Sequence, residues 1–206
     1  MRIEAWSCWP PGPDAPETPP CAFVEPMQRR RLSLFARRQL QAAYDCLQQS
    51  AASEEEIPSV FASRHGEVSQ SLRLLAQIRV AEPPSPQGFA LSVHNSVAGL
   101  WSLLRRDRAP SISIAAGAET LHAALTEARM RLGTCPGGRL LLVVGDEPLP
   151  ESYRAWSEEG VRSHALAILL HRDAGALFPS ADAWRASSCP VSALADQLRR
   201  LAGSKD

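Results

Sequence analysis

The chain has 206 residues, enough for one to one and a half domains and a core that buries roughly 70% of the unfolded surface. Hydrophobic residues make up 45% and charged residues 21%, ordinary globular values that argue against a disordered chain. Lysine plus arginine equals aspartate plus glutamate at 22 each, so the basic excess of a nucleic-acid binder is missing. No apolar run approaches the roughly 20 residues of a membrane span. The N-terminus, MRIEAWSCWPPGPD, has acid and proline where a signal peptide needs an apolar stretch, so secretion is not expected. Five cysteines without paired spacing suit a reduced, cytoplasmic protein better than a disulfide scaffold.

Taken in chain order, Arg2 to Cys8 alternates weakly, Ile3, Ala5 and Ser7 against Arg2, Glu4 and Trp6, and reads as a first strand. Seven prolines between Pro10 and Pro26 exclude helix and central strand, so that segment is expected to be an extended surface loop. From near Leu32, the stripe Ala36, Leu40, Ala43 and Leu47 predicts an amphipathic helix. Ile57 to Ala62 reads as a short buried strand, and Val68, Leu72, Leu75 and Ile78 as a further helical stripe, which Pro83, Pro84 and Pro86 end. Val97, Leu100, Trp101 and Leu104 mark the next helix, opening with His94 and Asn95. Ser111 to Ala115 (SISIA) is a small strand, and Ala118, Leu121, Leu125, Ala128 and Leu132 predict the helix after it. Leu140–Val144 (LLLVV) and Ala165–Leu170 (ALAILL) read as buried neighbouring strands, and Val191, Leu194, Leu198 and Leu201 as a last helix. Strands alternating with helices predict an α/β protein, a single domain over 1–206 layered α/β/α around a central mixed, mostly parallel sheet.

Common catalytic signatures are absent: no phosphate-binding glycine loop, no G-x-G-x-x-G, no C-x-x-C and no G-x-S-x-G. No cofactor is implied, and Cys8, Cys21 and Cys135 lack the histidine partners of a metal site. Three stretches could hold chemistry. Ser63-Arg64-His65-Gly66 follows a strand; Ser63 and His65 could be nucleophile and base of a small acyl-transfer or thioester-hydrolysing enzyme, or simply a turn and helix cap toward Glu67. Gly145-Asp146-Glu147 could be a carboxylate pair or a polar strand exit. In Ser85 to Leu100, His94 is either a catalyst or a packing histidine, and small Ser96, Ala98 and Gly99 would let another backbone approach closely.

The run Ser85-Pro86-x-x-Phe89-x-x-Ser92-Val93-His94-Asn95-x-x-Ala98-Gly99 resembles the N-terminal half of the β-ketoacyl synthase family, thiolase-like condensing enzymes. Arg30-Arg31-Leu32-Ser33 with its helix, FASRHGE at 61–67, SISIA and LLLVVGDE at 140–147 are similar to successive family segments, so the likeness covers most of 1–172. It implies a thiolase-like half-fold. It also implies a nucleophilic cysteine at the start of the helix after SISIA, where this chain has Ala118 at or next to that position. The family's two histidines and lysine lie in a second half beyond these residues, so catalysis by this chain alone is not expected. Such a member resembles the inactive partner, the chain length factor, known beside aryl polyene and xanthomonadin-type pigment synthesis. The resemblance then implies a heterodimer with a full-length β-ketoacyl synthase and indirect contact with an acyl carrier protein. The partner interface would use Ser92, His94, Asn95, Ser96, Ala98, Gly99 and Trp101, with SISIA beside them.

Overall fold

A computed structural model describes residues 1–10, 14–53, 55–156, 162–179, 187 and 190–203. The strands are β1 (Arg2–Trp9), β2 (Ser59–Ala62), β3 (Ser111–Ile114), β4 (Arg139–Asp146), β5 (His164–His171) and β6 (Ala176–Leu177). The helices are α1 (Pro26–Arg29), α2 (Leu34–Gln48), α3 (Val68–Arg79), α4 (Pro86–Ala90), α5 (Ser96–Arg105), α6 (Thr120–Leu132) and α7 (Pro190–Gly203). The strands form one mixed six-stranded sheet in the order β3-β2-β4-β5-β1-β6. β2 is parallel to β3 and β4, β5 is antiparallel to β4 and β1, and β6 is antiparallel to β1. Strands β1 to β4 therefore run one way and β5 and β6 the other.

β4 and β5 show why helices must cover both faces. Their side chains alternate strictly. Leu141, Val143, Ala165, Ala167 and Leu169 join one core with α2 and α5, while Leu140, Leu142, Val144, Leu166, Ile168 and Leu170 join the other with α6 and α7. A strand apolar at every position can be stable only when both faces are covered. The expected α2 stripe of Ala36, Leu40, Ala43 and Leu47 is fully buried in the first core, and Leu121, Leu125, Ala128 and Leu132 of α6 in the second.

Four expectations are corrected. In β1, a bulge between Ile3 and Ala5 shifts the register, so these two residues enter opposite cores although their numbers share parity. The proline-rich segment is not purely a surface loop. Its second half docks on α2: Cys21 and Val24 are buried, the Cys21 N–H donates to Gln41 Oε1 at 2.7 Å, and Pro26 opens α1. The stripe of α3 forms a helix but does not face a core. Leu75 and Ile78 are 58% and 56% exposed and only Leu74 is buried, because α3 packs mainly on α4 and stands off the sheet. Likewise Leu201, grouped with the inner face of α7, is exposed. Two short helices, α1 and α4, and the two-residue β6 have no periodicity to announce them.

How closely α2 approaches the sheet is set at Gly145. A Cβ there would lie 2.9 Å from Gln39 Cγ of α2 and 2.9 Å from the His164 carbonyl oxygen of β5. A side chain can move aside but the β5 backbone cannot do so without disturbing the ladder. Gly145→Ala is therefore expected to destabilise the protein by about 1–3 kcal/mol through overpacking, seen as a lower denaturation midpoint with an unchanged denaturant slope.

Candidate functional site

Ligand sites of α/β sheets lie beyond the carboxyl ends of parallel strands. Here Ser63, Ala115 and Glu147 directly follow β2, β3 and β4, and β5 begins on the same edge at His164, opposite Asp146. Two of the sequence candidates meet at this edge. Ser63 Oγ donates to Asp146 Oδ1 at 2.9 Å and accepts the Gly66 N–H at 2.8 Å, while Asp146 Oδ1 also accepts the Arg64 N–H at 2.8 Å. The Ser63–Gly66 turn is thereby pinned to the end of β4.

His94 completes the turn from the other side. Its Nε2 lies 2.8 Å from the Ser63 carbonyl oxygen; since a carbonyl only accepts, this nitrogen carries the hydrogen. The ring packs on Gly66, which has φ +58° and where a Cβ would be 2.9 Å from His94 Cδ2, so both conformation and space demand glycine. His94 thus serves as a packing histidine that holds a loop. Ser63 is 3% exposed and its hydroxyl donates a hydrogen bond to Asp146, whereas His65 is exposed. This geometry supplies Ser63 with a carboxylate partner and a structural turn.

Glu147 has partners of its own. Its Oε1 accepts from Ser69 Oγ at 3.2 Å and its Oε2 lies 3.5 Å from buried Arg38 Nη1. Burial pushes the Glu147 carboxyl above its ordinary value, with Ser69 and the arginines opposing. His164 is held below its ordinary value by burial, and its Nδ1 hydrogen is donated to the Arg162 carbonyl oxygen at 2.7 Å. Arg38 is the member that sequence reasoning missed, since nothing local links an arginine of α2 to a glutamate more than a hundred positions on.

The turn between β3 and α6 is where the family resemblance implies a thiol. Ala118 sits there, exposed, in a single 3₁₀ turn over Gly117–Glu119. From Ile114 through Glu119 no side chain bears a thiol or hydroxyl, and a shift of register by two residues reaches only the hydroxyl of Thr120. The Thr120 hydroxyl is already committed, donating to the Gly117 carbonyl at 2.7 Å and accepting the Ala116 N–H at 3.0 Å. Other thiols are poorly suited. Burial pushes Cys21 up to about 11 and Cys46 up to about 12, and raises Cys8 and Cys135, the opposite of an activated thiolate. Cys189 lies outside the described residues, among which no group of metal-ligating side chains occurs.

The expected partner-facing residues divide into two sets. Ala98 and Trp101 point into the first core, with Val97, beneath α2, and Ser96 is buried. Ser92 is half-buried and its hydroxyl donates to the Phe89 carbonyl. Asn95 and Gly99 face outward; nothing lies within 4 Å of where a Gly99 Cβ would be, and Leu103, one turn on, is 77% exposed. The outward face of α5 is thus Asn95, Gly99 and Leu103, at i, i+4 and i+8. Beside it runs β3, an edge strand of the sheet.

Comparison with known proteins gives this geometry a context. Residues 4–201 match the family described as the β-ketoacyl synthase N-terminal domain. No curated protein matches the sequence. Among solved structures, the chain is similar to one in a ketosynthase in complex with its chain length factor from Xenorhabdus doucetiae, at 24% identity and TM-score 0.68, covering 85% of this chain and 81% of that one. It is also similar to the ishigamide ketosynthase/chain length factor, at 18% identity and TM-score 0.59, covering 77% of this chain and 49% of that one. A type II polyketide acyl-carrier protein in complex with its ketosynthase gives 12% identity and TM-score 0.57, covering 74% and 51%. The chain spans about half the length of the matched chains in the last two. The sequence match across nearly the whole chain, on a sheet with the thiolase-like order, makes this protein a member of the β-ketoacyl synthase N-terminal-domain family.

Proposed function

We propose that the chain is a non-catalytic, chain-length-factor-like subunit that pairs with a catalytic ketosynthase during elongation of a carrier-bound polyketide- or fatty-acid-like chain. The observation that carries this reading is the β3–α6 turn. It has the strand, tight turn and helix that the family resemblance calls for at a nucleophile site, and it carries alanines, a glycine and a glutamate where that resemblance calls for a thiol. An acyl thioester needs a sulfur there, and a helix N-terminus cannot activate a methyl group. The similarity to chains in ketosynthase–chain length factor structures supports the same partner class.

The surface features agree with a paired subunit. β3, SISI, has neither proline nor charge, the devices that usually blunt an exposed edge, so its open side is suited to adding a strand from another protein. The outward α5 face beside it is apolar at Leu103 and open at Gly99. Burying that edge with the α5 face, in an interface of roughly 2,000 Å² or more, would fit an obligate dimer. Acyl elongation would then occur on the ketosynthase, and this chain would shape the space available to the growing acyl group.

Two outcomes are expected. Incubated with an acyl-loaded carrier protein, the chain should acquire no acyl adduct by intact mass; a stoichiometric adduct on Cys46, Cys135 or Cys189 would sink the non-catalytic reading. Leu103→Asp should abolish co-purification with the ketosynthase while leaving the fold of this chain intact by circular dichroism, because Leu103 touches no core. Unaltered affinity in that variant would remove α5 from the interface. Ala98 is unsuitable for the same test, since a charge there would disrupt this chain's own core.

A further inference from the structure

A cationic hollow of about 140 Å³ opens between the starts of α2 and α3. Arg30 and Arg31 enter it from the segment between α1 and α2, and Arg73 from α3. Glu67, Gln70 and Arg73 recur at every third position, which places them along one side of α3. The walls are held in place. Ser33, the N-cap of α2, donates from Oγ to Glu67 Oε1 at 2.5 Å and accepts the Ala36 N–H at 2.9 Å. Gly88 seats α4 on α3: a Cβ there would lie 3.3 Å from Leu74 Cδ2 and 3.5 Å from Gln70 Nε2. Leu91 and Leu100 give the hollow an apolar side.

The arginines of this hollow differ from their neighbours in lacking a partner. Arg29 donates to the Pro20 carbonyl, Arg37 donates to the Arg29 carbonyl, and Arg38 faces Glu147. The guanidiniums of Arg30, Arg31 and Arg73 make no hydrogen bond and no ion pair among the described residues. Glu67 is 4% exposed, and its carboxyl is hydrogen-bonded by Ser33 rather than by an arginine. Even with Glu67 ionised, three guanidiniums against one carboxylate leave two positive charges. Both helices also begin here, and their first turns add partial positive charge. A monocarboxylate or a phosphodiester would cancel only one of the two charges. A phosphate monoester carries about −1.5 to −2 near pH 7 and offers three oxygens to forked guanidiniums. Size agrees with charge: a cavity of about 150 Å³ holds a benzene ring, and a phosphoryl group with its first carbons is of that order.

We propose that this hollow binds the dianionic head of a phosphate monoester, held by Arg30, Arg31 and Arg73 with its ester carbons against Leu91 and Leu100. Gln70 is placed to donate to a further phosphate oxygen, and the Glu67 carboxylate, the acidic group of the lining, weakens the hold. The site is complete within this chain, so its test does not depend on pairing with a ketosynthase.

Isothermal titration of the full chain at low, constant ionic strength is the experiment, with propyl phosphate as the probe. One saturable site is expected. Butyrate and dipropyl phosphate, each singly charged, should bind more weakly by about tenfold or more. Arg30→Gln and Arg73→Gln should each lower the affinity for propyl phosphate by about tenfold or more. Arg79→Gln, on the same helix but outside the hollow, should leave it unchanged. Glu67→Gln keeps an acceptor for Ser33 and removes the opposing charge, so it should bind more tightly than the wild type. A phosphoserine peptide without other charges separates the sources. Weaker binding of the peptide than of propyl phosphate assigns the site to a free phosphate ester, and equal or tighter binding assigns it to a phosphorylated chain. Absence of saturable binding by both probes, singly charged controls that bind as well, or full affinity in Arg73→Gln overturns the proposal.

Discussion

Everything in this molecule is arranged around the two-sided burial of β4 and β5. Each presents an unbroken apolar run of side chains, so neither face can meet water, and helices must be supplied to both. On one side the requirement is met by close approach: Ala165 and Ala167 on β5 and Ala36, Ala42 and Ala43 on α2 remove bulk, and Gly145 removes the last obstruction. On the other side it is met by volume, with leucines of α6 and α7 against leucines and isoleucine of the strands. The two solutions fix the height of the helices above the sheet, and hence the geometry of the loops at its carboxyl edge.

Those loops are bound to one another rather than left open. Ser63, Asp146 and the Arg64 amide tie the end of β2 to the end of β4; Ser69, Glu147 and Arg38 tie α3 to β4 and α2. Such hydrogen bonds satisfy the polar groups of the loops and hold the loops in place. The polar groups at this edge hold its turns to one another.

Legibility in the sequence follows from range. Periodicities set by the two cores, such as 36-40-43-47 and 121-125-128-132, announced their helices because the sheet imposes one buried face on each. The same logic misled at α3, where Leu75 and Ile78 have helical spacing without a core to satisfy, since a stripe shows that a face is apolar and not what covers it. At β1 a single inserted residue broke the parity on which strand reading rests. The site was half visible: Ser63, His94, Asp146 and Glu147 stood out as polar residues at strand ends and helix starts. Their pairings, Ser63 with Asp146 and Glu147 with Arg38, join positions far apart in the chain and are fixed only by the sheet order.

The β3–α6 turn shows how little the fold asks of the side chain at position 118. Gly117, with φ +56°, turns the chain, and Thr120 closes it by bonding backward to the Gly117 carbonyl and the Ala116 amide. None of these interactions involves the side chain at position 118, which is exposed and touches neither core. A thiol at such a place would be kept only by the chemistry it performs, since folding asks nothing of it. The residues that folding does require in the same neighbourhood are Gly117, Thr120 and Leu121, which set the turn and seat α6 on the sheet whatever side chain stands at position 118.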